Sequence, residues 1–540
     1  MKSGVIPSLA RYFLPRLQDI IFIAIFIGVI GYGPRLLNVD GDLGRHLTLG
    51  RYILGTRNIP THDLFSHTMA GEPLTPHEWL AEVVYAAAYE AGGLDGVIWL
   101  CALLIALAVT LCFRQCLAHS QSVVVSLVWA ILGAAAASLH WLARPHLFTL
   151  LLVVLWTGEL ERFESGESKR WWLFPLLMVF WANLHGAFIA GFVIWGAHLV
   201  GKIVEEKITR NYCSAAARQL LTELLFRIVG VTSFLASLLN PSGVGLWATS
   251  LSYVRNRYLV GHTAEYLPPD FHHPSTWPFM LMIVLSLLVL GISRNHRVEE
   301  SAVPLEKRLR SLFRIRSVLL LAGWTALGLY SVRNVPIYAF VVAPILAGRT
   351  TSLLLDWGGG SQRRTLIARL ISFDANLAGI EATLKGRRGT VVPFWPAVVV
   401  LLVGLGFAGG AKLDFEGRGN HFDEAIFPVG AMDWLEAHPP AGQPFNYFPW
   451  GGYLLFRKWP EMRVFIDGQT DFYGEALTRK YEQVLTLDEG WQDVLRRYHV
   501  QWVIMPTRSD LAQRLSGEDA WRIVYQDETA TVLFYEPPPP

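Results

Sequence analysis

Stretches of roughly 20 predominantly apolar residues recur along this chain, and no other feature restricts its fold as tightly. That length is what a helix needs to cross the bilayer core. Backbone groups in lipid have no water to bond, so they must be satisfied within the spanning element itself. Candidate spanning helices fall at 19–37, 95–113, 121–141, 146–161, 171–187, 188–204, 220–239, 276–293, 316–333, 337–354 and 391–411, about eleven in all. The composition agrees. Of 540 residues, 52% are hydrophobic and 17% charged, whereas average soluble domains carry about 25% charged residues. The 20 Trp and 29 Phe suit membrane interfaces. A net charge of +2 provides no basic field for nucleic acid.

Lys and Arg in the connections set the orientation. With the N-terminus inside, the cytoplasmic connections hold Lys2, Arg11 and Arg16, then Arg114, then Arg162, Lys169 and Arg170, then Lys202, Lys207, Arg210 and Arg218. The long connections at 294–316 and 355–390 are more basic still, and they fall on the same side. The opposite connections hold Arg35, Arg45, Arg51, Arg57, Arg144, Arg255, Arg257 and Arg333, a bias of about threefold. Residues 77–93 (HEWLAEVVYAAAYEAGG) are short for a span and carry Glu82 and Glu90. Counting them as one would turn every later basic connection outward. They read instead as an amphipathic helix at the outer interface. The first apolar run is long for a signal peptide and no small-x-small site follows it, so an uncleaved first span is expected.

This layout predicts a transmembrane domain over 1–411 with a first extracytoplasmic loop at 38–96, a further outer loop at about 240–275, an extracytoplasmic domain over 412–536, and a disordered Pro-rich tail at 537–540. The C-terminal domain reads as α/β. Strand candidates at 444–448, 463–466, 502–505, 521–525 and 531–535 alternate with helical patterns at 477–485, 491–498 and 510–515. Cys101, Cys112, Cys116 and Cys213 all lie in or beside apolar segments on the expected bilayer or cytoplasmic side, so no disulfide framework is expected outside.

The most informative polar stretch is NVDGDLGRHLTLGRYILGTRNIPTHDLFSHT in the first loop. Asp40 and Asp42 follow the outer end of the first span. Acidic groups near hydrocarbon are costly and point to function. A carboxylate there would suit activation of an acceptor hydroxyl, and Arg45, His46 and Arg51 would suit neutralisation of a leaving phosphate. The same residues also read as a solvated turn with an Asp N-cap. His77-Glu78 is not a zincin motif, because the second histidine position is Ala81, and Glu78 reads as a helix-start residue. Arg144 and His146, in WLARPH at an outer span end, face an anionic headgroup or a substrate phosphate, or else mark a Pro-induced bend with a snorkelling Arg. Asn183 and His185, in WANLHGAF, either satisfy a tight turn or line a polar cavity. Glu265 lies in EYLPPDFHH, where carboxylates and imidazoles, with His262, offer cation ligands or a Pro-ordered interfacial loop. Arg333, in the turn before the tenth span, binds phosphate or snorkels. In the C-terminal domain, Trp450 and Tyr453 belong to a strand-to-helix turn, and Asp467 follows a strand candidate.

Taken together, these stretches resemble the GT-C superfamily of glycosyltransferases, which use polyprenyl-phosphate sugar donors. In that superfamily an extracytoplasmic aspartate at the end of the first span serves as base or acceptor-activating group, and a long first loop carries interfacial helices. Asp40, with Asp42, stands at that motif. THDLFSHT and PLTPHEWLAEVVY look like the second part of the loop in the aminoarabinose and protein-mannosyl transferase branch. Pro449-Trp450-Gly451-Gly452-Tyr453 and Phe465-Ile466-Asp467-Gly468 resemble the Trp-Trp-Asp-Tyr-Gly and Ile-Asp-Gly stretches of oligosaccharyltransferase catalytic subunits, with Gly in place of the motif aspartate. The chain also departs in the second outer loop, where the superfamily often has acidic residues and this chain has Arg144-Pro145-His146. Nearly the whole length resembles a group of bacterial multi-pass proteins sharing DGDLGRHL-, HEWLAE-, NLHG-, RNVP- and GGYL-like stretches.

The resemblance implies a GT-C-like helical domain followed by an extracytoplasmic α/β domain in the cytoplasmic membrane. It implies an inverting glycosyltransferase moving a sugar from a polyprenyl-phosphate donor to an acceptor glycan, lipid or protein. Asp40 would activate the acceptor, and Asp42 would support it. A divalent metal such as Mg or Mn, if used, would be held by Asp40 and Asp42. Arg45, His46, Arg144 and His146 would meet the donor phosphate. Asn183, His185, Glu265 and Arg333 would line the cavity, and Trp450, Tyr453 and Asp467 would shape the acceptor side. A non-catalytic scaffold keeping this fold is the alternative. A transporter or flippase is the weaker rival, because the ionisable residues gather at outer span ends and no inverted repeat is evident.

Overall fold

A helix in lipid closes its own backbone hydrogen bonds, and the apolar runs of this chain all do so in the computed structural model, which describes residues 14–209, 217–295, 315–358, 369, 372–380 and 394–536. In order they are α1 (Leu17–Gly31), α2 (Gly33–Asn38), α3 (Leu43–Thr56), α4 (Trp79–Ser120), α5 (Val123–Ala137), α6 (His146–Glu164), α7 (Leu173–Leu184), α8 (Ile189–Thr209), α9 (Ala217–Ser237), α10 (Gly245–Arg255), α11 (Arg257–His262), α12 (Trp277–Asn295), α13 (Ile315–Tyr330), α14 (Val335–Gly358) and α15 (Phe394–Ala408). Among the described residues, 5 helical stretches are long and apolar enough to cross a membrane: Trp79–Ser120, Val123–His140, Gly186–Glu205, Pro274–Gly291 and Val332–Leu355. Shorter apolar helices include Leu17–Gly31, Leu173–Leu184 and Phe394–Ala408. Most of the two long basic connections, Cys213 and the Pro-rich tail lie outside the described residues.

The continuous helix α4 breaks at Gly92 and Gly93, where Gly93 takes φ 61°. A side chain strains that left-handed backbone, so the glycine lets the amphipathic segment from Trp79 turn into the apolar one. The helix expected over 77–93 starts at Trp79 and ends at this break. α4 packs against α1, α3, α5 and α14 and forms the centre of the bundle. Where α6 and α7 approach, Trp156 stacks edge-on to Trp181 at 6.1 Å, and the Trp181 indole donates to Thr149 at 2.9 Å. That bond satisfies a polar group that apolar packing would otherwise strand.

The C-terminal part comprises α16 (Val429–Ala437), β1 (Gln443–Asn446), α17 (Gly451–Lys458), α18 (Thr470–Leu485), α19 (Trp491–Arg497), β2 (Val500–Pro506), α20 (Asp510–Ser516), β3 (Trp521–Gln526) and β4 (Ala530–Tyr535). Its sheet runs β1-β2-β4-β3. β1 pairs parallel to β2, and β4 pairs antiparallel to both β2 and β3. Alternation puts Val503 and Met505 of β2 against Leu477, Tyr481 and Leu511 on one face. Trp502 and Ile504 turn to the other face and join the core continuous with the helical bundle. The strand expected at 463–466 does not form as part of this sheet. Its backbone is clamped by one side chain instead: Asn446 accepts from the Phe465 amide at 2.8 Å and donates to the Ile466 carbonyl at 2.9 Å. Val464 makes only an isolated bridge to Ser66 of the first loop.

That bridge is one part of a close seam between first loop and C-terminal domain. Asn38 binds the backbone of His421 and Asp423, and Thr68 donates to the Phe465 carbonyl at 2.7 Å. The glycines of DGDLG and PWGGY face each other across the seam. A methyl group on Gly452 would overlap the Gly41 carbonyl and press on the Arg45 amide at 3.1 Å. These neighbours are backbone and cannot swing aside. Gly452→Ala should therefore cost about 1–3 kcal/mol, read as a lower unfolding midpoint in detergent with the bundle's helical signal retained.

The seam also carries a titrating group. Burial holds the His67 imidazolium down to about 4, Arg463 adds to this, and the hydrogen bond to the Pro444 carbonyl at 2.9 Å opposes it. The unfolded chain titrates near 6.5. Between those values the unfolded chain binds a proton that the folded one refuses. Stability is thus full above pH 6.5 and falls as the pH drops toward 4, by up to about 1.4 kcal/mol per unit. His67→Asn should flatten this part of the melting-temperature profile.

Candidate active site

Consecutive helices alternate in direction, so alternate connections meet at one end of the bundle. There the links α1–α4, α5–α6, α7–α8, α9–α12 and α13–α14 and the segment after Ile466 enclose a cavity of about 420 Å³. Its wall includes Asp42, Arg45, His46, Arg144, His146, His185, Glu265 and Arg333 from five separate parts of the sequence.

Arg144 organises the first half of this wall. It lies between the short helical turn Ser138–His140 and Pro145, which precedes α6. Its backbone is anchored by two bonds: the Ala143 amide donates to Leu36 at 3.1 Å, and the Tyr85 hydroxyl donates to the Arg144 carbonyl at 2.9 Å. The guanidinium pairs with Asp40, Asp42 and Glu265 together, Nε toward Asp40, Nη2 toward Asp42 and Nη1 toward Glu265. Nη2 also lies 2.9 Å from Asp40 Oδ1. Asp42 lines the cavity, whereas Asp40 does not and accepts from the Asp42 amide at 3.2 Å. Glu265 is shared further, with Arg333 at 3.9 Å and His140 at 4.0 Å. Arg333 contacts His185 Nε2 at 3.1 Å and lies over the Tyr266 ring.

Arg45 organises the second half. From the first turn of α3 it reaches Asp467 at 3.2 Å and Glu82 at 3.7 Å, and it also bonds Gln469. Burial works against its charge, yet Asp467 and Glu82 hold its pKa above the ordinary arginine value. His46 Nδ1 lies 3.1 Å from Glu82. Glu78 approaches His185 Nε2 at 3.4 Å. His77, beside it, is disfavoured as a cation by burial, but Glu78 and Asp471 outweigh that and raise its pKa.

The remaining candidates lie elsewhere. Asn183 is buried behind the wall, where it accepts from the Trp79 indole at 2.7 Å and donates to the Leu239 carbonyl at 2.9 Å. Trp450 donates to the Ile426 carbonyl at 2.8 Å, and Tyr453 packs on Phe422 and Phe427. Both are core residues and neither lines the cavity. Asp467 takes part through Arg45. Glu78, Glu82 and Asp471 also line the cavity, although in the sequence Glu78 reads as a helix-start residue and Glu82 as a charge on an interfacial helix. One signal was present: in HEWLAE the two glutamates stand four apart, on one face of the same helix.

Two positions can be tested for a divalent ion. Asp40 and Asp42 do not fit one, because a guanidinium already occupies the space between them and Glu265. A divalent ion about 4 Å from that charge would be repelled by about 8 kcal/mol at an effective dielectric constant near 20. His46, Glu78 and Glu82 do fit: one ligand atom from each lies within 4.8 Å of the others, and imidazole with carboxylates suits several divalent ions.

No family model matches the chain, and no curated protein matches it in sequence. Its architecture is similar to that of solved structures. The Archaeoglobus fulgidus oligosaccharyltransferase in the apo form aligns over 90% of this chain and 69% of that one, at 10% identity and a TM-score of 0.53. The archaeal oligosaccharyltransferase AglB from Archaeoglobus fulgidus, in complex with an inhibitory peptide and a dolichol-phosphate, aligns over 97% of this chain and 75% of that one, at 11% identity and a TM-score of 0.52. At such identities the likeness is one of fold.

Proposed function

We propose that this membrane protein of GT-C fold is a glycosyltransferase that moves a sugar from a polyprenyl-phosphate donor to an acceptor on the extracytoplasmic side. The observation that carries this reading is the cavity at one end of the bundle, where a carboxylate, Asp42, shares a wall with cationic and imidazole groups. That combination suits in-line displacement at an anomeric carbon. Asp42 accepts the proton of the acceptor hydroxyl, the new carbon–oxygen bond forms as the bond to phosphate breaks, and the lipid phosphate leaves on the opposite face with inversion. Asp40 supports this by sharing Arg144.

For the donor phosphate this reading keeps His46 and His146 from the sequence and replaces Arg45 and Arg144 with Arg333. Arg45 and Arg144 are already committed to carboxylates, with side chains 6% and 17% exposed. Arg333, at 31%, is the most exposed of the three guanidiniums that line the cavity. It serves the phosphate together with His46 and His146. A divalent ion, where used, would be held by His46, Glu78 and Glu82 and would neutralise phosphate oxygens. The extracytoplasmic placement rests on the basic connections at the other end of the bundle, and the acceptor is a glycan, lipid or protein.

The test is release of radiolabel from a panel of polyprenyl-phosphate sugars by the protein in nanodiscs, wild type against Asp42→Asn. Release by the wild type alone supports the transferase and its base. Equal release by both removes Asp42 from the reaction. Donor binding without release by either protein points to the scaffold reading.

A further inference from the structure

We infer that Arg144 is a built-in cation, occupying the place where the carboxylates Asp40, Asp42 and Glu265 would otherwise assemble a divalent metal site. Three carboxylates from two distant loops converge on one point, and that convergence needs positive charge at its centre. A divalent ion with oxygen ligands is one solution to such a cluster. Here the three nitrogens of one guanidinium face the three carboxylates, with Nη2 shared between Asp40 and Asp42. A planar fork with five donors can do this, and a lysine ammonium cannot reproduce its geometry. The position is also rigidly supplied, since Leu36 and Tyr85 hold the backbone at 143 and 144. Arg333 adds a second positive charge 3.9 Å from Glu265, so the cluster is met by two fixed cations.

Charge that is covalently part of the chain does not dissociate, and it does not follow the supply of metal. The consequence is that Asp42 keeps its position without a metal beside it. Arg144 is therefore a positioning residue, acting through the carboxylates.

The experiment reads metal binding, so it stands whether or not the protein moves sugar. Mn²⁺ binding to the full chain in nanodiscs is measured by electron paramagnetic resonance for the wild type, Asp42→Asn, Arg144→Gln, Arg144→Lys and the double variant Arg144→Gln with Asp42→Asn. The quantity of interest is binding that depends on Asp42. Wild type and Asp42→Asn are expected to bind alike. Arg144→Gln should gain a site, at least about tenfold tighter than any Asp42-dependent binding in the wild type, and the double variant should lose it. Arg144→Lys keeps the charge and should gain none. The inference is overturned if Asp42→Asn alone lowers Mn²⁺ binding of the wild-type chain about tenfold. It is equally overturned if Arg144→Gln, with the wild-type unfolding midpoint, binds no more Mn²⁺ than the wild type. The first comparison needs no Arg144 variant to fold.

Discussion

Asp42→Asn is expected to lower sugar release from a polyprenyl-phosphate donor by about 10²–10⁴-fold, the range for loss of a general base. The substitution keeps shape and volume but removes the carboxylate proposed to take the proton. Asp42 lines the cavity and Asp40 does not, so Asp40→Asn should cost less, through a looser Arg144. The loss should fall on kcat, because the proposed reaction gives the acceptor hydroxyl to Asp42 and the donor to Arg333. Donor affinity, measured by lipid-phosphate displacement, should stay within a few-fold of wild type. A larger loss in Asp40→Asn than in Asp42→Asn would reverse the two roles, and an equal loss of donor binding in both would make them binding groups.

Arg45→Met should be the most damaging substitution for stability, by about 3–5 kcal/mol. The Arg45, Asp467 and Glu82 side chains are 6%, 1% and 3% exposed. Methionine fills the volume and leaves two buried carboxylates without their cation. These groups join the first loop to the C-terminal domain, so the loss should appear as separation of the two before the bundle unfolds. Adding Asp467→Asn removes one stranded charge, and the double variant should be more stable than Arg45→Met alone. If the two costs simply add, the groups are not coupled and the buried pair is not what holds the seam.

Much of the fold was legible because it depends on local rules. Apolar run length marks the helices, and alternating burial with turn residues marks β2, β3 and β4. The sequence reading failed at 463–466, where the pattern of a strand was present. Whether such a segment joins a ladder depends on what lies beside it, and the neighbouring position is taken by the Asn446 amide. Trp450 and Tyr453, read from the sequence as shaping the acceptor side, lie buried in the core. Aromatic groups beside glycines look like a binding surface until packing covers them, Tyr453 by Phe422 and Phe427 and Trp450 by Tyr447, with its indole on the Ile426 carbonyl.

Local patterns along the chain were enough to read the membrane class, the run of helices, the α/β character of the C-terminal domain and the polar stretches from which the cavity is built. Only the tertiary structure decided who pairs with whom. Arg144 is 104 residues from Asp40 and 121 from Glu265, and Arg45 is 422 from Asp467. Hydrophobic periodicity acts over a few residues and survives in any context. An ion pair exists only after packing has removed water and brought distant segments within about 4 Å. That is why Arg144, which reads as a phosphate ligand in the sequence, is found holding three carboxylates in the fold.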